Sequence, residues 1–182
     1  MRAHENEPIV VQREVKAIAI PAGAEVNLKI GAVGYITQAL GGSFTVYVDG
    51  NLFRIAGADA DAIGMSAAQP PEVPPGASEE DIKKVVWQQL RTCYDPEIPV
   101  NIVDLGLIYE CDVQNDADGR SVDIKMTLTA PGCGMGEVLV QDVRDKVQIV
   151  PTVVRANVEL VFDPPWNHTM MSEEARLQTG ML

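Results

Sequence analysis

Hydrophobic and polar positions alternate in short segments over residues 9 to 65: IVV, VKAIAI, VNLKI, GYITQAL, SFTVYV and NLFRIAG, each closed by glycine or a polar turn. That two-residue period predicts β-strands, and Asp49-Gly50 between SFTVYV and NLFRI predicts a tight hairpin because both residues tolerate positive φ. Gly41-Gly42 predicts another turn. From Ser78 the period changes. Ile82, Val85, Val86 and Leu90 recur at helical spacing, and Ser78 with Asp81 has the spacing of a capping box, so a helix is expected over about Glu79 to Arg91. Leu107, Tyr109, Cys111 and Val113 then alternate with polar residues, as do Val122, Ile124, Met126 and Leu128, with a turn over Asn115 to Arg120. Leu139, Val143, Val147 and Val150 predict a helix from about Met135 to Ile149. A last strand is expected through Val154, Ala156, Val158, Leu160 and Phe162. Ser172 is placed to cap a short helix that begins with Glu173 and Glu174.

The pattern is that of an α+β protein: a small N-terminal antiparallel β domain, barrel or sandwich, followed by a two-layer α-β-β-α-β domain. SAAQPPEVPPG holds four prolines and a glycine, which excludes a regular ladder and marks an extended linker. The expected division is 1–65 for the β-rich extension, 66–77 for the linker, 78–164 for the α+β domain and 165–182 for a tail with a short helix. The β extension reads as a recognition or dimerisation module, since no catalytic constellation lies in it.

Charge and cysteine content narrow the function. The 182 residues carry 14 Lys and Arg against 26 Asp and Glu, a net charge of −12, the wrong sign for binding nucleic acid or an anionic membrane. The longest run without strongly polar residues, Ala17 to Ala24, is too short to span a bilayer, and the N-terminal residues lack the apolar core of a secretory signal. A cytoplasmic location is expected. Cys93, Cys111 and Cys133 are odd in number and form no CxxC pair, which suits a reducing compartment and excludes a four-cysteine metal site within one chain. GK[ST], HExxH and GxSxG are all absent.

The strongest chemical signal is TLTAPGCGMGEV. Gly132, Gly134 and Gly136 surround Cys133 where a strand hands over to a helix, so the thiol is placed to ionise beside unpaired N–H groups and to be approached closely by another molecule. Glu137 and the overall negative charge work against that ionisation. Cys111 sits in phase with an apolar strand stripe and reads as a small buried hydrophobe; Cys93 follows the helix stripe and reads as core or site edge. In DPEIPVNIVDLG two prolines fix a loop that carries Asp95 and Glu97, and Asp104 stands in a turn directly before a strand; these carboxylates serve the site or only cap and turn the chain. His168 reads as surface or packing before it reads as a ligand.

DPEIPVNIVDLGLIYECDV, MTLTAPGCGMGEVLVQDVRDKV and VELVFDPPWNHTMMSEEARLQTG, in that order, resemble the PaaD-like metal-sulfur cluster biosynthesis family over about Ser78 to Gly180. The resemblance implies an α+β domain that helps deliver or insert iron-sulfur clusters into recipient proteins, without enzymatic turnover. Cys133 matches the family's reactive cysteine, Asp95, Pro96, Glu97, Ile98 and Pro99 its DPEIP loop, and Asp104 and Gly106 its DLG turn. The implied cargo is a transiently held iron-sulfur cluster or iron, and the implied partners are cluster assembly proteins and client apoproteins.

A carrier must hold its cluster firmly yet release it, which calls for few protein ligands at an exposed site. A two-fold homodimer with two Cys133 thiolates on one cluster meets that demand, with a small thiol, a client cysteine, a carboxylate or His168 completing the set. The rival readings are an adaptor that never binds metal and a thiol redox enzyme. The latter lacks a resolving cysteine nearby and a histidine at base spacing, since His4 and His168 are both remote in sequence.

Overall fold

The computed structural model describes residues 6–95, 98–132 and 134–181. The chain divides into two compact units, Met1–Gln69 and Pro70–Leu182.

The first unit is one six-stranded sheet made of β1 (Pro8–Val10), β2 (Val15–Ile20), β3 (Glu25–Leu28), β4 (Val33–Leu40), β5 (Ser43–Val48) and β6 (Asn51–Ile55). The strand order is β1-β4-β5-β6-β2-β3, with every neighbour antiparallel. The expected hairpin is present: Asp49 and Gly50 both have positive φ, at 48° and 86°, and β5 pairs β6 from Val48–Asn51 outward. Alternation sends Phe44, Val46 and Val48 inward onto Ile9, Val11, Val15, Ile36 and Ile55, all buried. A 3₁₀ turn, Gly57–Ile63, closes the unit, with Arg13 bridging Asp59 and Asp61.

In the second unit the order is α1 (Glu79–Leu90), β7 (Ile108–Asp116), β8 (Gly119–Met126), α2 (Gly136–Gln148), β9 (Val153–Leu160) and α3 (Glu173–Thr179). The predicted capping box is formed: Ser78 Oγ accepts the Asp81 N–H and Asp81 accepts the Ser78 N–H. β7 and β8 form a hairpin, and α2 carries the chain back so that β9 runs parallel to β8, giving the sheet order β7-β8-β9. One face of this sheet buries Cys111, Val122, Ile124, Met126 and Ala156 with the stripes Ile82, Val86, Leu90 of α1 and Leu139, Val143, Val147 of α2. Positions of the opposite phase, such as Glu110, Asp112, Asn157 and Glu159, are exposed. Lys146 of α2, buried beside Asp142 at 3.2 Å, also donates to the Thr92 carbonyl at 2.6 Å and ties this helix to the end of α1.

Three local expectations change. The β7–β8 pairing continues to Asp116–Gly119, so the turn is only Ala117-Asp118: Asn115 and Asp116 stay in the ladder because their side chains find Glu79 and Arg155. The register slips between Ile108 and Glu110, and Tyr109 leaves the core stripe to donate to the Pro164 carbonyl at 2.7 Å. Val154 and Phe162, read as inward strand positions, are 49% and 47% exposed, because the first sits at a register irregularity and the second lies past the end of β9.

Candidate functional site

Leu128 and Thr129 follow β8, and the turn that contains position 133 leads into α2. Gly132 has φ 79°, and a Cβ placed on it would meet nothing within 4 Å. Gly132 and Gly134 are both exposed, whereas Gly136 is buried with its Cα against Leu128: an added Cβ would lie 2.7 Å from Leu128 Cδ1. The glycines thus serve two ends. Gly136 lets α2 start hard against the strand end, while Gly132 and Gly134 leave the outer part of the turn uncovered. Cys133 itself lies outside the described residues. The helix that follows takes no side-chain cap from Met135 and carries Glu137 in its first turn.

The other two thiols are accounted for. Cys93 is 0% exposed, with Sγ 3.7 Å from the Gln89 carbonyl, and Cys111 is 5% exposed inside the same core. Burial pushes the Cys111 thiol up to about 11, partly offset by the nearby Lys83 ammonium. Neither is available to a metal or an incoming disulfide, so Cys111 is the small hydrophobe the alternation predicted and Cys93 is core.

Asp95 is buried at 5%. Its Oδ1 accepts the Ile98 N–H at 2.8 Å, and its Oδ2 lies 3.5 Å from Thr129 Oγ1, which places Asp95 beside the chain that leaves β8. The carboxylate therefore turns its own loop and also faces the strand that delivers the glycine turn. Glu97 and Pro96 lie outside the described residues. The sequence signal for Thr129 is a hydroxyl directly after the buried strand stripe that ends in Leu128.

Asp104 does a different job. It pairs with Arg91 at 2.9 Å and accepts from Asn101 Nδ2, while its own N–H donates to Asn101 Oδ1 at 2.9 Å. Its carbonyl accepts the Ser172 N–H at 2.8 Å, and the next carbonyl, Leu105, accepts from Trp166 Nε1 at 2.7 Å. Gly106 has φ 72° and packs so closely on the tail that a Cβ would lie 2.2 Å from the Met170 carbonyl oxygen. The tail, with Met171 and Ala175 in the core, is thus a strap over the DLG turn. His168 sits on that strap in an exposed 3₁₀ turn, His168–Met170. Among the described residues no group of three or more His, Cys, Asp or Glu side chains is arranged to hold a metal ion. None of their helices is long and apolar enough to cross a membrane.

Comparison with known proteins identifies the family of this domain. The family model described as iron-sulfur cluster assembly protein matches residues 83–160, from α1 to the end of β9. An Fe-S protein maturation auxiliary factor of Porphyromonas gingivalis is 52% identical over 105 residues, 58% of this chain and 93% of that protein. The Fe-S protein maturation auxiliary factor YitW of Bacillus subtilis is 37% identical over 103 residues, 57% of this chain and 98% of that protein. The Fe-S protein maturation auxiliary factor SufT of Staphylococcus aureus is 34% identical over 87 residues, 48% of this chain and 96% of that protein. Matched over nearly the whole length of such relatives, the chain belongs to the iron-sulfur cluster assembly protein family.

Proposed function

We propose that this chain is an iron-sulfur maturation factor that carries a cluster, or helps insert one, into recipient apoproteins, and that Cys133 is the thiolate that touches the cargo. The observation that carries the reading is the disposition of the thiols: of three cysteines, Cys93 and Cys111 are sealed in the core. That leaves Cys133, in a turn whose neighbours Gly132 and Gly134 are exposed. Relatives that match it over nearly their whole length are named as Fe-S maturation auxiliary factors.

A single thiolate is a weak anchor, and for a carrier that is useful. Fe–S clusters are normally held by four protein ligands, so a site that offers one thiol, with the rest supplied by a small thiol or by the client, lets the cluster move as client cysteines replace those ligands. Asp95 and Thr129 hold the neighbouring loop against the strand end, which fixes the base of the turn while its outer part stays open. With no second accessible thiol among the described cysteines, a resolving partner for redox turnover is lacking within the chain, which supports a non-enzymatic role. The partners are cluster assembly proteins and client apoproteins, and the location is cytoplasmic.

Anaerobic reconstitution with iron and sulfide tests the ligand role. The wild type takes up iron and shows the visible absorption of a cluster, whereas Cys133→Ala loses both; equal iron content and spectra in the two proteins overturn it. In cells lacking the protein, iron-sulfur enzymes lose activity while enzymes without clusters keep theirs. If Cys133→Ala restores those activities as well as the wild type does, the protein is an adaptor between assembly machinery and clients and the thiol is dispensable.

A further inference from the structure

We infer that β9 is a dimerisation edge, pairing antiparallel with β9 of a second copy about a two-fold axis at Asn157 and joining two three-stranded sheets into one of six strands. Among the described residues no strand pairs with the outer side of β9, which ends the order β7-β8-β9. An edge of eight residues, VVRANVEL, with neither proline nor lysine and no covering strand, is the kind that proteins otherwise protect.

The backbone sets which residues face the partner. Val161 N–H donates to the Met126 carbonyl, so odd-numbered residues from Arg155 to Val161 turn their N–H and C=O groups toward β8. Ala156, Val158 and Leu160 turn theirs to the open edge. A two-fold axis at Asn157 then sets Ala156 against Val158 of the second copy in a hydrogen-bonded pair. It also sets Arg155 against Glu159 twice over, once on each side of the axis.

Charge selects this register. Sliding by two residues in either direction keeps the hydrogen bonds but removes the Arg155–Glu159 juxtaposition. Both side chains are on the exposed face of the sheet; Arg155 is 62% exposed and pairs with Asp116 at 3.3 Å. The other face gains as well, because Val158 and Leu160 are only partly covered.

The arrangement has a consequence for the site. Met126 lies beside Leu160, so the turn after β8 stands at the C-terminal end of β9. Antiparallel pairing sends the two C-terminal ends apart, with the two Leu160 residues roughly 20 Å from each other at about 3.3 Å per residue. The two glycine turns then work separately, each on its own cargo, and this dimer is not one in which two Cys133 thiolates share a cluster.

The experiment uses the full chain and reads mass by sedimentation over a range of concentrations. The wild type is a reversible dimer; Arg155→Glu, which sets glutamate against Glu159 at both pairs, weakens it on the order of tenfold or more, as Glu159→Arg does. The double reversal R155E/E159R restores dimerisation, which a folding defect cannot mimic. In a Cys133→Ser background, Asn157→Cys is oxidised to a covalent dimer, since residues at a non-hydrogen-bonded pair approach to about 4.5 Å between Cα atoms. A wild type that stays monomeric at its highest soluble concentration, a dimer indifferent to both single reversals, or failure of N157C to cross-link overturns the inference. The cluster-binding role of Cys133 stands or falls separately, on iron content.

Discussion

Two turns, one before β7 and one after β8, each hold a glycine at positive φ, and the two glycines meet opposite surroundings. The DLG turn at 104–106 is clamped by Arg91, Asn101 and the tail, and its glycine has a backbone carbonyl where a Cβ would go. The turn at 131–136 has a glycine of similar φ at 132 with open space around it. One glycine is required because the chain is packed against it; the other is required by backbone conformation alone. The closed turn is a structural joint, whereas Gly132 and Gly134 of the other are exposed.

Five expected outcomes break or sharpen that contrast. The largest effect is that of Gly106→Ala, which combines left-handed φ with a 2.2 Å encounter with the Met170 carbonyl oxygen. It should destabilise the protein by about 3 kcal/mol in urea unfolding. Gly132→Ala meets no atom and should cost only the αL penalty, about 1–2 kcal/mol; equal losses at 106 and 132 would erase the distinction between the two turns.

A smaller effect belongs to the sealed Cys111 thiol. The folded chain holds the Cys111 proton until about pH 11, against an ordinary value of 9.0, so the unfolded chain loses that proton first. Stability therefore falls as pH rises from about 9 and levels off above about 11, and Cys111→Ala should flatten that part of the profile in thermal melts. The smallest effect on stability is that of Cys133→Ala, within about 0.5 kcal/mol in urea unfolding. Alkylation followed by mass measurement checks the same contrast directly: the native chain should take one label, on Cys133, and the unfolded chain three. Labelling of Cys93 or Cys111 in the native protein would show that the core around them opens.

Much of this fold was written locally. The Asp49-Gly50 hairpin, the Ser78–Asp81 capping box, the Ser172 cap and the burial of Cys111 each depend on residues within a few positions of one another, and the periodicity of apolar residues carries them. The motif TLTAPGCG announced a strand-to-helix turn, and Gly132 and Gly134 are indeed its exposed part. Other features depended on pairings the pattern does not encode. Trp166 reaches the Leu105 carbonyl and Met170 covers Gly106 across some sixty residues, so the tail looked like an appendage and is part of the joint. Asp95 was read as a cap or a site carboxylate; it caps Ile98 and also faces Thr129, and only the packing of the loop on β8 could bring those two together.

From its sequence alone this protein had its element order, its two-part organisation, its caps and its candidate thiol, because backbone preference and hydrophobic period act over one or two turns of chain. Which of the two glycine turns is packed over, whether Cys93 is sealed and which strand is left at the edge of the sheet were settled by tertiary packing. Those properties belong to surfaces that meet only after distant segments have folded together, and no local pattern specifies what will lie against them.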